Sequence, residues 1–390
     1  MVTPRYCGGL AALLASLSLG LAPKPKDPKP GPVPILPAEE VWFAQFDAPP
    51  AANAWMDDER VYVGLQVRGV RALSRETGQP LWQEAVDITH PPLAVDDQLL
   101  IALPSEVRAL DPHTGLTRWS RRLERPLAAD MIAAEGAALL VDGAGQLVAV
   151  RVRDGEELWR RALGALTTHA PARITSDVVA ITLADARVVA LNDRTGEVMW
   201  QRSLPGTLSA PATGRDRVFV GSTNNFFYAL DAESGEERWR WRTGGDVIGA
   251  AAAGERVYFV SLDNVLRAVN RDNGNQLWKA AIPSRAAAPP IAFDDVVVVS
   301  GVAPRVDAYD GRTGAALGTF TALTDLEGPP VIDTSPKPFE VAIVALTREG
   351  RLSALRPIGL MFPDRPLVPL LRLPGRELPR EPRPGAARLP

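Results

Sequence analysis

The chain is poor in the residues that most often carry chemistry. Its 390 residues include one cysteine and three histidines. That count excludes a disulfide framework, a cysteine-based zinc site and an iron–sulfur cluster. A formal net charge of −3 lacks the basic excess with which a nucleic-acid binder neutralises phosphates, so no nucleic-acid partner is expected. Long apolar runs are scarce too, and the uncharged stretch 8–22 is too short to span a bilayer comfortably. No glycine-rich phosphate loop, Ser–His–Asp arrangement or paired metal spacing is visible. Aromatic residues make up only 6% of the chain, yet nine of them are Trp. A hydrophobic content of 46% is enough for a sizeable core.

The two ends read as lying outside the fold. Arg5 followed by the apolar stretch 8–22 has the pattern of a secretory signal, so residues 1–22 are expected to be a signal peptide or an N-terminal anchor. Export follows, with membrane contact only through this segment if it is not cleaved. Cys7 precedes the apolar core, whereas a lipid-attachment cysteine follows it. Residues 23–40 read as a proline-rich linker and 357–390 as a disordered tail rich in proline and arginine. Segments 23–37 and 357–390 hold 16 of the 36 prolines, and such composition favours polyproline II over sheets or helices. The tail has six Arg against three acids, which leaves about −7 for residues 41–356.

Between the ends runs a forty-residue period. The stretch Ala109-Leu110-Asp111-Pro112-His113-Thr114-Gly115 is followed four residues later by Trp119. The same frame places glycines at Gly78, Gly115, Gly155, Gly196, Gly235, Gly274 and Gly314, and tryptophans at Trp82, Trp119, Trp159, Trp200, Trp239 and Trp278. The seventh frame has Gly318 where Trp is expected. In each Asp-x-x-Thr-Gly turn the Asp accepts from backbone amides and the Gly supplies a positive φ. Short β-rich runs on either side give about four strands per period, the sequence mark of a β-propeller blade. One Trp per blade supplies a flat surface for packing against the next. An orphan outer strand, Val41-Trp42-Phe43, lies forty residues before Trp82, and the last unit lacks an outer strand. Joining them closes the ring and leaves no open sheet seam. The expectation is an all-β, eight-bladed propeller over residues 41–356. Seven blades is the alternative, because the last unit is degenerate around Pro336 and Pro338.

The Ala-Leu-Asp-x-x-Thr-Gly-x-x-x-Trp frame resembles the tryptophan-docking repeat of PQQ-type propellers. That family includes quinoprotein dehydrogenases, which hold PQQ and Ca²⁺ at the propeller axis. It also includes non-enzymatic subunits of the outer-membrane β-barrel assembly machinery, BamB and its relatives. The resemblance to the second group implies a monomeric periplasmic or membrane-associated scaffold with envelope protein partners, no catalytic residues and no cofactor. The first group implies a Cys-Cys pair and a cluster of cations around the quinone, neither of which this sequence displays.

Five residues stand out as candidates for interaction. His90 and His169 occupy matching positions two before Pro92 and Pro171, two blades apart, where a metal or anion site at the channel mouth competes with solvated rim histidines. Trp55 and Trp241 fall outside the repeat frame. Phe226 follows Asn224-Asn225 in what reads as an exposed loop. The recurrent Asp111, Asp231 and Asp310 invite a Ca²⁺ reading, but turn geometry explains their recurrence better.

Overall fold

A computed structural model describes residues 35–167, 169–333 and 340–358 of the chain. Residues 1–22, expected to be a signal peptide or N-terminal anchor, the expected linker residues 23–34 and the expected tail beyond residue 358 lie outside the described residues. The fold is an eight-bladed β-propeller of four-stranded antiparallel sheets. Seven blades are continuous in sequence: residues 55–84, 93–122, 132–162, 172–203, 212–242, 247–281 and 291–321. The eighth joins Val331–Ile332, Ile343–Leu346 and Arg351–Pro357 to the N-terminal strand Ala38–Gln45. Trp42 pairs with Ala354 and Phe43 with Ser353 across that closure. The seven-blade alternative is thereby discarded. The outer strand also starts earlier than its sequence pattern indicates, at Ala38, with Ile35 and Leu36 buried ahead of it. Those residues belong to the propeller rather than to the linker.

Strand position within a blade follows from composition. The second and third strands, such as Gln98–Ala102 and Arg187–Asn192, are rich in aliphatic and β-branched residues and almost entirely buried. The apolar clusters form between blades: Val188 and Ala190 of one pack with Val218, Val220 and Leu230 of the next. First strands meet the first strands of neighbouring blades and so lie innermost, as Ala212–Gly214, Val247–Ala253 and Ile291–Phe293 do in succession. Fourth strands form the outer rim.

The framed tryptophans all make the same junction. Each indole lies over the turn glycine of the following blade and donates its N–H to the carbonyl three residues before that glycine. Trp82 donates to Pro112 at 2.8 Å, Trp159 to Asp193 at 3.0 Å and Trp278 to Gly311 at 2.9 Å. Trp42, Trp119, Trp200 and Trp239 do the same to Arg75, Val152, Ala232 and Arg271. The glycine is required twice over. At Gly155 φ is +73°, and a Cβ would stand 2.5 Å from Cε3 of Trp119.

Candidate functional site

Antiparallel order gives the propeller two chemically different ends. Turns joining first to second and third to fourth strands share one end. The other end carries the second-to-third turns together with the connections between blades. The first end is charged, and most of its turn acceptors are engaged by neighbouring amides and arginines. In the Asp-x-x-Thr-Gly turns, Asp111 Oδ1 accepts from the amides of His113 and Thr114, each at 2.9 Å, while Arg118 holds Oδ2 at 2.7 Å. Arg118 and then these amides hold the Asp111 carboxyl well below the usual carboxylate range. Asn192 and Asn270 make the equivalent amide contacts without a charge. The recurrent Asp is therefore engaged in turn closure.

The opposite end, the loop face, exposes apolar side chains in its turns and connections. Val67 (87% exposed) and Val302 (58%) sit in second-to-third turns, while Leu323 (77%) and Leu166 (54%) sit in inter-blade connections. Val67 also has φ = 61°. A β-branched residue rarely occupies this left-handed region, and holding one there costs about 1–3 kcal/mol. Leu262, in the corresponding turn of the sixth blade, extends the series. Blades six, seven and one, with the connection into blade eight, thus present a run of aliphatic side chains on one face. Sequence reasoning passed over these residues; the available signal was isolated aliphatics inside otherwise polar turn segments.

His90 and His169 also lie in inter-blade connections of this face, entering blades two and four. His90 Nδ1 is 2.9 Å from Thr89 Oγ1, and burial lowers its pKa while the charge of Asp130, in the next connection, raises it. Asp130 keeps exposed surface, yet the surrounding protein pushes its carboxyl up and His90 pulls it back. His169 Nδ1 is 3.2 Å from Thr182 Oγ1, which donates to the Ser209 carbonyl, and burial lowers this imidazole's pKa as well. Both rings are held by hydroxyl partners. Among the described residues, no group of three His, Cys, Asp or Glu is arranged to hold a metal ion.

The remaining candidates do not join them. Trp55 is on an innermost strand, half-buried between the packing clusters of the first three blades. Trp241 is on the rim strand Glu237–Arg242, half-buried 6.2 Å from the Phe259 ring and 5.7 Å from the Arg267 guanidinium. Phe226 is half-buried beneath Arg240, 5.3 Å away, and beside Tyr228. The structure therefore distributes the five over separate places.

The axis can be tested for a quinone directly. PQQ is a tricarboxylate and needs several cations at close range. The eight innermost strands contain one charged residue, Arg173. Its guanidinium is already held by Asp193 Oδ2 at 2.7 Å and by the carbonyls of Ser176 and Ala133. The axial residues do not fit that group.

A family model described as outer membrane protein assembly factor BamB matches residues 66–209 and 184–358. Outer membrane protein assembly factor BamB of Yersinia pestis is 25% identical over 188 residues, 44% of this chain and 48% of that protein. The chain thus matches about half the length of this curated relative. BamB from Moraxella catarrhalis superposes with a TM-score of 0.67 at 16% identity, covering 82% of this chain and 99% of that one. Quinohemoprotein alcohol dehydrogenase from Comamonas testosteroni superposes at 0.62 with 13% identity, over 82% and 76% of the respective chains. At such identities both structures speak for the fold alone. The family match spans most of the propeller, and the chain belongs to the BamB family of PQQ-like β-propellers.

Proposed function

We propose that this protein is a non-catalytic, extracytoplasmic scaffold that docks a protein of the outer-membrane assembly machinery on its loop face. The observation that carries this reading is the row of exposed aliphatics there, with Val67 held at a strained backbone angle. An exposed apolar patch rimmed by polar residues is the usual signature of a protein-binding surface. The opposite end offers charged turns in which the recurrent Asp acceptors, such as those of Asp111 and Asp231, are already engaged. Family membership supports the choice of machinery, and the N-terminal segment 1–22 supports export into the envelope, with residues 23–34 as a spacer ahead of the propeller. The axial residues' misfit to a tricarboxylate weighs against the quinoprotein alternative.

The test is affinity purification from solubilised envelopes with the full chain and with the double variant Val67→Asp/Leu323→Asp. The expected result is recovery of an outer-membrane assembly protein by the parent chain and its loss with the variant, at a thermal stability no lower than the parent's. Recovery of no such protein by the parent, or equal recovery by both, overturns the proposal.

A further inference from the structure

The outer rim carries a charge asymmetry that the folding pattern does not require. Rim strands of blades two to six (Thr117–Arg122, Glu157–Ala162, Val198–Ser203, Glu237–Arg242 and Gln276–Ala281) contain ten Lys or Arg against two Glu. Rim strands of blades seven, eight and one (Ala316–Thr321, Ala38–Gln45 and Pro80–Glu84) contain no Lys or Arg and three Glu. This belt lies on a propeller whose net charge is about −7 over residues 41–356. Several of the cations are committed to ion pairs, such as Arg118 to Asp111 and Arg121 to Glu157. Others are not. Arg122, Arg161, Arg202, Arg242 and Lys279, with Arg125 just beyond its strand, are exposed and have no acidic partner among the described residues. They gather toward the loop-face end of their strands.

The same rim exposes aliphatic side chains. Leu158, Val198 and Met199 lie on the rim strands of blades three and four, and Leu116 immediately precedes that of blade two. They occupy the opposite end of these strands, so a flat surface laid against the rim meets a row of cations and a row of aliphatics together. Five consecutive blades wrap more than half the ring, and a plane touches only two or three at once. Blades two to four carry six of the ten rim cations, with Arg125 beside them, together with Leu116, Leu158, Val198 and Met199.

We propose that the outer rim over blades two to four docks on an anionic phospholipid surface. Cations near such a surface each contribute about 1 kcal/mol, and exposed aliphatics add burial at the headgroup boundary. The acidic remainder of the propeller is repelled by the same surface, which leaves the rim as the preferred approach. An acidic polypeptide would use the cations but has no use for the aliphatic row, and for that reason lipid is the better match. This contact is independent of the protein partner proposed for the loop face.

Flotation of the full chain with phosphatidylglycerol/phosphatidylethanolamine vesicles, against phosphatidylcholine vesicles as baseline, reads the interaction. The triple variant Arg122→Gln/Arg161→Gln/Arg202→Gln changes exposed residues only, and an unchanged melting temperature verifies its fold. Its partitioning onto anionic vesicles is expected to fall about 100-fold, and high salt is expected to weaken the parent in the same direction. The variant Leu158→Ser/Met199→Ser is expected to lose the salt-resistant remainder. Equal binding of parent and triple variant, or equal binding to both vesicle types, overturns the proposal. Binding to polyglutamate without binding to anionic vesicles also overturns it, in favour of an acidic polypeptide.

Discussion

Gly318 has no side chain at the position where six other frames place a tryptophan, and the backbone of Leu36 fills the space. A Cβ on Gly318 would stand 2.7 Å from the Leu36 carbonyl carbon and 2.9 Å from its oxygen. The reason is topological. A framed Trp docks on the third-to-fourth turn of the next blade, but the eighth blade has no such turn, because its third and fourth strands come from distant parts of the chain. At that gap Ile35 and Leu36 pack with Val296, Val306 and Leu355, and Ile358 donates its amide to the Pro37 carbonyl at 3.0 Å. The missing tryptophan and the ring closure are one feature.

Gly318→Ala should therefore destabilise the propeller by about 1–3 kcal/mol through overpacking. Urea unfolding checks this, and an unchanged midpoint would mean that Leu36 does not sit against Gly318.

Among the docking tryptophans, Trp200 is buried and donates to the Ala232 carbonyl. Replacing it with Phe keeps most of the apolar contact but leaves the carbonyl without that donor, at about 1–3 kcal/mol. Replacing it with Ala should cost about 3–5 kcal/mol. Denaturant midpoints of the two variants should fall in that order.

Acid stability carries a signature of the turns. Arg238, then the amide and hydroxyl of Ser234 and the amide of Glu233, lower the Asp231 carboxyl from its ordinary 3.8 to about 2. Because the folded pKa is depressed, its stabilisation is present above pH 4 and disappears as pH falls from about 4 to about 2. Asp231→Asn keeps the amide acceptor, as Asn192 and Asn270 do in their own blades, and loses only the charge. Its melting temperature should vary less than the parent's within this window.

Val67 links stability to binding. Val67→Asn suits the left-handed angle better, since Asn tolerates that region. The expected outcome is a gain of about 1 kcal/mol in unfolding free energy together with weaker recovery of the protein partner. Calorimetry and the affinity purification read the two effects separately.

Addition of PQQ and Ca²⁺ to the purified protein should produce neither quinone absorbance after gel filtration nor dye reduction with alcohols or sugars. Retained quinone with Ca²⁺-dependent turnover would show that Arg173 and its neighbours rearrange to accept the cofactor.

The repeating part of the architecture was legible in the residue order because each blade must satisfy the same local demands. A positive φ at Gly115, an amide acceptor at Asp111 and a flat ring at Trp82 recur with the blade period, and Trp42 announced the closing strand by standing one period ahead of the rest. What departs from the repeat was harder to read. Trp55 and Trp241 drew attention by breaking the frame, yet both are half-buried in packing between blades. Val67 and Leu323 looked like ordinary loop residues until antiparallel topology brought their turns to one end.

The sequence by itself determined the propeller, its repeating blade and the charge of its turns, because these rest on contacts repeated at short range along the chain. Only the tertiary structure decided why position 318 is glycine, which aliphatics share a face and which arginines stand unpaired on one side of the rim. Those properties depend on which residues of different blades become neighbours, and ring closure, rather than spacing along the chain, sets that neighbourhood.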